Sequence, residues 1–196
     1  MYKGEDSQSG KSIYQSNYRK GTPKAVKHRE ILDLIQNVWS KKPLKLNITD
    51  SNGTVRQIEA KFDPAYDPDQ NIRTDASKLM AGNRKGSASD RRVTLDLAGD
   101  WYKIAESSIY DYSKKETGKN SITHENVLKW HYFINDILFQ EYGEAETAPY
   151  MITIDVKEKL DGNFVYSISA EKRKSDTPRT LLAEVNRTGK TNAANV

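Results

Sequence analysis

Apolar residues in the first part of the chain recur with a helical period. Within residues 25–40 they follow the i, i+3, i+4, i+7 spacing that places side chains on one face of a helix. Pro43 cannot continue such a helix, so the pattern predicts a helix that ends just before it. The predicted face consists of Ile31, Leu34, Ile35, Val38 and Trp39.

Strict alternation of apolar and polar residues occurs in two pairs of segments. Residues 44–48 and 58–62 form the first pair, and residues 152–156 and 164–168 form the second. Alternation predicts strands with one buried face, and Asn-Gly or Asp-Gly between two strands predicts a hairpin. The joining turns are Asp50-Ser-Asn-Gly53 and Leu160-Asp-Gly-Asn163.

The middle of the chain carries weaker signals. Residues 93–97 alternate over a short distance, which predicts a short strand or an extended entry. Asp100 is a suitable N-cap for a helix over residues 101–109, and the polar residues 111–123 predict a loop.

Residues 126–139 fit both a helix and a strand. Their aromatic and β-branched content favours a strand over residues 130–139. The order of helix, hairpin, helix and successive strands then predicts an α+β fold, with N-terminal helices packed on one face of an antiparallel sheet.

Composition divides the chain into three parts. The sequence has a net charge of +4, but residues 1–29 carry seven bases against two acids, and residues 171–196 carry six against three. The segment between them therefore totals −4. Residues 1–24 and 171–196 are predicted to be flexible basic ends, with a folded domain at 25–170.

Some classes of site and location are excluded on composition. The chain has no cysteine, which removes disulfides, thiolate catalysis and cysteine-ligated metals. No stretch is long and apolar enough to predict a membrane span, and no secretory signal is found at the start. The expected location is the cytoplasm.

The densest chemistry is in residues 117–133. Cleavage of an RNA phosphodiester needs a base for the 2′-hydroxyl proton, an acid for the leaving 5′-oxygen, and a cation for the phosphate. His124 and His131 suit the first two roles because histidine titrates near neutrality, and Lys119 suits the third. These two histidines have no third ligand at metal spacing, so no metal or cofactor is predicted.

Two further groups of residues are candidates for RNA contact. Trp130 and Tyr132 flank His131 and offer aromatic faces on which bases stack. The basic run 84–92 is either a solvated loop or a phosphate track. Its candidate RNA-binding residues are Arg84, Lys85, Arg91 and Arg92.

The chain from about residue 41 to 170 resembles the barnase/EndoU/colicin/RelE-like (BECR) nuclease domains of phage and mobile-element polyproteins and bacterial polymorphic toxins. The specific part of the resemblance is Thr117-Gly-Lys-Asn120 with His124, followed by Trp130-His-Tyr-Phe133. Weaker matches are 42–47, 60–62, 154–157 and 161–166.

This resemblance implies helices followed by a mainly antiparallel sheet of about four strands, and metal-independent cleavage of RNA such as tRNA. It maps catalytic roles onto Lys119, His124 and His131, and further roles onto Lys157 and Tyr166. Position 157 is Lys where the family's strand has Arg, and lysine lacks the bidentate fork that grips phosphate. A toxin of this kind also implies a cognate immunity protein.

The leading hypothesis is therefore a ribonuclease toxin that acts by 2′-hydroxyl transesterification. Two alternatives remain open. One is a non-catalytic module that binds nucleic acid or protein through its basic segments. The other is a phage or mobile-element effector that inhibits a host defence protein, with the acidic stretch 141–146 imitating nucleic acid.

Overall fold

The computed structural model describes residues 1–39, 41–62, 88–116 and 126–173. They form eight strands, which are β1 (Tyr2–Glu5), β2 (Ser12–Gln15), β3 (Leu44–Thr49), β4 (Val55–Phe62), β5 (Ile109–Lys115), β6 (Val127–Gln140), β7 (Thr147–Lys159) and β8 (Phe164–Lys172). The α-helices of these residues are α1 (Lys24–Leu34), α2 (Ala88–Asp96) and α3 (Trp101–Glu106). A π-helical turn, Ile35–Trp39, extends α1, and a 3-10 turn, Ala98–Asp100, precedes α3.

All eight strands belong to one mixed sheet. Its order is β1-β2-β6-β7-β8-β4-β3, and β5 pairs with β6 outside this path. The long strand β6 accommodates two neighbours on the same side, because β5 pairs with its first half and β2 with its last four residues. The pairs β2–β6 and β4–β8 are parallel, and the others are antiparallel. The end strand β3 also contacts β5, so the sheet curls into a half-barrel.

The predicted fold class is therefore wrong. The sequence predicts helices on a mainly antiparallel sheet of about four strands, whereas the described residues are mostly β, with eight strands and few short helices. The error has a physical cause. The additional strands β1, β2 and β5 are short or polar, and they are stabilised by pairing rather than by a pattern of their own, since β2 and β5 pair with β6 and β1 pairs with β2.

The clearest periodic segments are found as predicted. Helix α1 and its π-helical extension cover the predicted helix, with Ile31 and Trp39 buried. Both hairpins form, as β3–β4 and β7–β8. The glycine of each turn, Gly53 and Gly162, has a positive φ of +81°, which explains why glycine is needed there. The segment left open between helix and strand is the strand β6.

Three segments differ from their predicted structure. Residues 93–97, expected to be extended, lie largely in α2, where Val93 and Leu95 are both buried because the helix packs against β8 and the core. Residues 111–123 were expected to be a loop, but the part up to 115 belongs to β5. Residues 1–24 were expected to be a flexible arm, and they contribute β1 and β2.

Helix α2 also protects an edge of the sheet. Strand β8 extends beyond its short pairing with β4, which leaves its last backbone N–H groups without a strand partner on that side. Ala170 N donates to Thr94 Oγ1, and Lys172 N donates to Asp90 Oδ1, both at 2.9 Å. The helix thus satisfies donors that an exposed edge would offer to another chain.

One face of the sheet, called here the inner face, packs on the helices and forms the core. It carries buried side chains from β3, β4, β6, β7 and β8, together with Ile31, Trp39 and Trp101 from the helical layer. The rings of Trp39 and Trp101 are stacked with centroids 4.4 Å apart. The opposite side of the sheet is called the outer face. No helix among the described residues is long and apolar enough to cross a membrane.

Candidate functional site

The predicted catalytic residues do not all lie within the described part of the chain. Lys119 and His124 are outside the described residues, as are Arg84 and Lys85 of the basic run. His131, Lys157 and Tyr166 are described, and they occupy both faces of the sheet.

Tyr166 lies in the core on the inner face. Its side chain is 2 % exposed, and its ring meets that of Phe62 edge-on at 5.5 Å. Its hydroxyl shares a hydrogen bond with Tyr102, whose own hydroxyl donates to the carbonyl of Lys42. Burial raises the pKa of Tyr166 well above its ordinary value, so the phenol stays protonated.

His131 also points to the inner face. Its side chain is 1 % exposed, and Nε2 lies 2.9 Å from Oε2 of Glu158. Its other ring nitrogen, Nδ1, is buried and has no hydrogen-bond partner among the described residues. Burial lowers the pKa of the imidazole below its ordinary value of 6.5, although the Glu158 carboxylate opposes that shift.

Glu158 connects His131 to the turn between β3 and β4. Its other oxygen, Oε1, lies 3.6 Å from Nη2 of Arg56, and Nε of Arg56 lies 3.6 Å from Oδ2 of Asp50. In the neutral imidazole, a carboxylate acceptor on Nε2 favours the tautomer with the proton on that nitrogen. Nδ1 then carries a lone pair, which is the arrangement of a general base held in position by a carboxylate.

The outer face has different chemistry. The alternation of β6 places Trp130 and Tyr132 on the side opposite His131, and both are half-buried. Tyr132 stacks on Tyr112 of β5, with ring centroids 4.5 Å apart and an interplanar angle of 22°. Trp130 Nε1 donates to Oε2 of Glu116 at 2.8 Å, which fixes the orientation of the indole.

Lysines accompany Trp130 across the sheet. In the strand register Trp130 is paired with one residue of β5 and one of β7, and the row continues through β8 to β4. Side chains of paired residues share a face, so these five residues form one line. We call it the outer row, and its members are Lys114, Trp130, Lys157, Val165 and Lys61.

The three lysines of the outer row are regularly spaced. Adjacent strands lie about 4.8 Å apart, so Lys157 is about 10 Å from Lys114 and about 10 Å from Lys61 along the row. Lys157 Nζ lies 5.5 Å from the centroid of the Trp130 ring, within cation–π range. Lys114 and Lys61 are exposed. One aromatic ring, Trp130, therefore lies between Lys114 and Lys157, and the buried Val165 lies between Lys157 and Lys61.

The remaining predicted contacts lie elsewhere. Arg91 and Arg92 belong to α2, and Nη2 of Arg92 pairs with Oε1 of Glu141. This pair joins the end of the predicted basic run to the start of the acidic stretch 141–146. The charge of Arg92 is thus partly neutralised by an ion pair at the protein surface.

Sequence reasoning found Trp130, Tyr132 and Lys157, but missed three members of the same surface. Tyr112, Lys114 and Lys61 come from strands whose positions in the sheet did not follow from the sequence. Tyr112 and Lys114 fall in the segment 111–123 predicted as a loop, and their sequence carries no alternation that would have indicated this surface.

The described residues contain no group of three or more His, Asp or Glu side chains placed to hold a metal ion. Comparisons of this chain with protein-family models, with curated proteins and with solved structures find no match. The geometry of the two faces therefore carries the functional inference.

Proposed function

We propose that this protein binds single-stranded RNA on the outer face of its sheet. The observation that carries the proposal is the combination of stacked Tyr112 and Tyr132 with the aromatic–lysine outer row on neighbouring strands. Aromatic side chains on a sheet stack unpaired bases, at about 1–3 kcal/mol per base, while cations beside them attract phosphates.

Charge on this face is mixed, which sets the expected strength of binding. Asp155 is the register partner of Tyr132, and Glu116 accepts the indole hydrogen bond, so two carboxylates oppose the three lysines of the outer row. Base stacking then supplies a large part of the affinity. The bases of a duplex are stacked inside the helix, so we expect preference for single strands.

The test is fluorescence anisotropy with a short labelled single-stranded RNA and the matching duplex. Trp130→Ala should weaken single-strand binding by about 1–3 kcal/mol, because one stacking surface is lost. Tyr142→Ala is the matched control, since Tyr142 is an exposed aromatic on the β6–β7 loop, outside the outer row. Equal loss in both variants, or wild-type binding that prefers the duplex, contradicts the proposal.

A second candidate function is metal-independent RNA cleavage, as in a ribonuclease toxin. The hydrogen bond between His131 and Glu158 favours it, because it holds a histidine in the tautomer that a general base requires. His131 lies on the inner face, so cleavage there would need RNA to enter from that side, with Lys119 and His124 as the remaining proposed groups.

RNA incubated with the protein and excess chelator tests this candidate. Cleavage should give 2′,3′-cyclic phosphate ends, and His131→Gln should abolish it while a melting curve shows that the variant is folded. Glu158→Gln, which keeps a hydrogen-bonding side chain, should reduce the rate less. RNA that stays intact with the wild-type protein contradicts cleavage and leaves the binding proposal standing.

If cleavage is found, a cognate immunity protein is proposed as the partner in the producing cell, with acidic groups opposite Lys119 and the run 84–92. The proposed place of action is the cytoplasm of the producing or target cell. Co-expression with the neighbouring gene product should then relieve toxicity, and a lack of relief contradicts this partner.

A further inference from the structure

A cavity lies between the β3–β4 turn and strand β5, and Tyr112 of the proposed RNA-stacking pair is one of its lining residues. Its volume is about 490 Å³, within the range of roughly 300–1,000 Å³ that is typical of small-molecule sites. Its polar wall includes Asp50 from the turn, Tyr110, Asp111 and Ser113 from β5, and Lys129 from β6. The end strands of the curled sheet thus bring together groups that are distant in the sequence.

Asp111 occupies a special position in this wall. The register of β5 against β6 passes from Tyr110–Phe133 to Tyr112–Tyr132, so Asp111 is an extra residue on β5. Such a bulge re-aims side chains and is common beside binding sites. One carboxylate oxygen, Oδ2, is buried and has no hydrogen-bond partner among the described residues. A buried acceptor left without a partner costs free energy that a ligand with hydroxyl groups would recover.

Lys129 supplies the opposite charge on the cavity wall. It is half-buried, and its ammonium forms no ion pair with another described residue. Its register partners are Lys115 on β5 and Glu158 on β7. Because Glu158 is engaged by His131 at 2.9 Å and by Arg56 at 3.6 Å, the ammonium of Lys129 is left to attract an anion in the cavity. The cavity therefore offers a carboxylate acceptor and a cation to the same ligand.

We propose that this cavity binds a phosphorylated sugar. A carboxylate accepts hydrogen bonds from two vicinal hydroxyls, which suits the Oδ atoms of Asp111, and Lys129 would bind the phosphate. The hydroxyl of Ser113 and the ring of Tyr110 complete a polar wall with one flat apolar surface. A bare divalent cation fits less well, because Lys129 repels it and Asp50 already faces Arg56 at 3.6 Å.

Calorimetric titration with ribose 5-phosphate tests the site. Binding of 2-deoxyribose 5-phosphate, which lacks vicinal hydroxyls, should be weaker by about tenfold, equivalent to about 1.4 kcal/mol. Asp111→Asn should remove this difference between the two sugars, because the charged acceptor is lost. Lys129→Gln should weaken both sugars about tenfold and leave their ratio unchanged.

Lys42→Gln is the matched control and should change neither affinity, since Lys42 is an exposed lysine outside both the cavity wall and the outer row. Melting curves establish that each variant is folded, and the two substitutions test the site independently. Equal affinity of the wild-type protein for the two sugars overturns the proposal. The proposal is also overturned if titration with inorganic phosphate or calcium alone gives the same heat of binding as ribose 5-phosphate.

Discussion

The two faces of β6 differ in burial although their residues alternate along one strand. On the inner face His131, Phe133, Ile137 and Phe139 are at most 2 % exposed, and on the outer face Trp130, Tyr132 and Ile134 are half-buried. Adjacent residues such as Trp130 and His131 therefore meet different surroundings. Residues that are adjacent in the sequence of β6 therefore lie alternately in the core and on the surface.

The division separates the contributions to folding from those to binding. Inner residues pack at the density of a protein interior, where removing atoms leaves a cavity. Outer residues keep part of their ring surface in contact with water, where a ligand can replace the water. A substitution on the inner face should therefore affect mainly stability, and one on the outer face mainly affinity.

The largest effect is expected from removing an inner aromatic residue. Phe133→Ala should reduce the free energy of unfolding by about 3–5 kcal/mol, because Phe133 is 1 % exposed and packs edge-on against Tyr110. Tyr132→Ala, one residue away, should reduce it by about 1 kcal/mol or less. Urea denaturation measures both. Similar losses in the two variants would show that the outer face is as tightly packed as the core.

The bulge in β5 allows a second test of the same division, with a smaller effect. It places Tyr110 against Phe133 and Tyr112 against Tyr132, on opposite faces. Tyr112→Ala should weaken single-stranded RNA binding by about 1–3 kcal/mol, because its ring extends the stacking surface. Tyr110→Ala should lower stability with RNA affinity unchanged. If folded Tyr110→Ala loses affinity for single-stranded RNA and Tyr112→Ala does not, binding does not take place on the outer face.

The sequence predicted those parts of the fold whose signals are local. The hairpins β3–β4 and β7–β8 combine alternation with a glycine that adopts a positive φ, and both form. Helix α1 presents a helical apolar face, and it forms too. In these segments, turn chemistry and periodicity agree with the tertiary structure.

The remaining parts of the fold depend on contacts between residues that are distant in the sequence. Lys114 and Lys115 give β5 no apolar alternation, so only its pairing with β6 reveals a strand. Val93, Leu95 and Leu97 alternate like a strand, yet all three are buried because α2 and the turn that follows it pack against the core and β8.

The candidate site shows the same limit. Trp130, Tyr132 and Lys157 were identified from the sequence, but the alternation of β6 places Trp130 and Tyr132 on the face opposite His131. Placing Lys61 in one row with Lys157 requires knowing that β4 lies beside β8, and strand order does not follow from periodicity.

A smaller effect is expected from one charge of the outer row. Binding to single strands weakens with salt, with a slope of about −0.7 for each phosphate neutralised. Lys157→Gln should therefore reduce the slope of log affinity against log salt by about 0.7. Lys42→Gln, an exposed lysine that precedes β3, is the control and should leave the slope unchanged. A slope that both variants change equally would assign the electrostatic attraction to the whole protein.

The smallest effect is expected on the inner face, from the pH dependence of His131. Burial lowers the pKa of its imidazole in the folded protein below the ordinary 6.5, while Glu158 opposes the shift and Lys129 and Arg56 reinforce it. As pH falls through 6.5, the unfolded chain binds a proton at this residue before the folded protein does. The stability that depends on neutral His131 is thus present above this pH and is lost below it.

Urea denaturation of the wild-type protein and of His131→Gln between about pH 5 and pH 8 isolates this contribution, since glutamine does not titrate and the other groups are common to both proteins. The wild-type protein should lose more free energy of unfolding on acidification than the variant. The reverse result would mean that the Glu158 carboxylate holds His131 protonated, with its pKa above 6.5. The inner face would then contain a buried ion pair, and the contrast with the charged outer row would rest on packing rather than on charge.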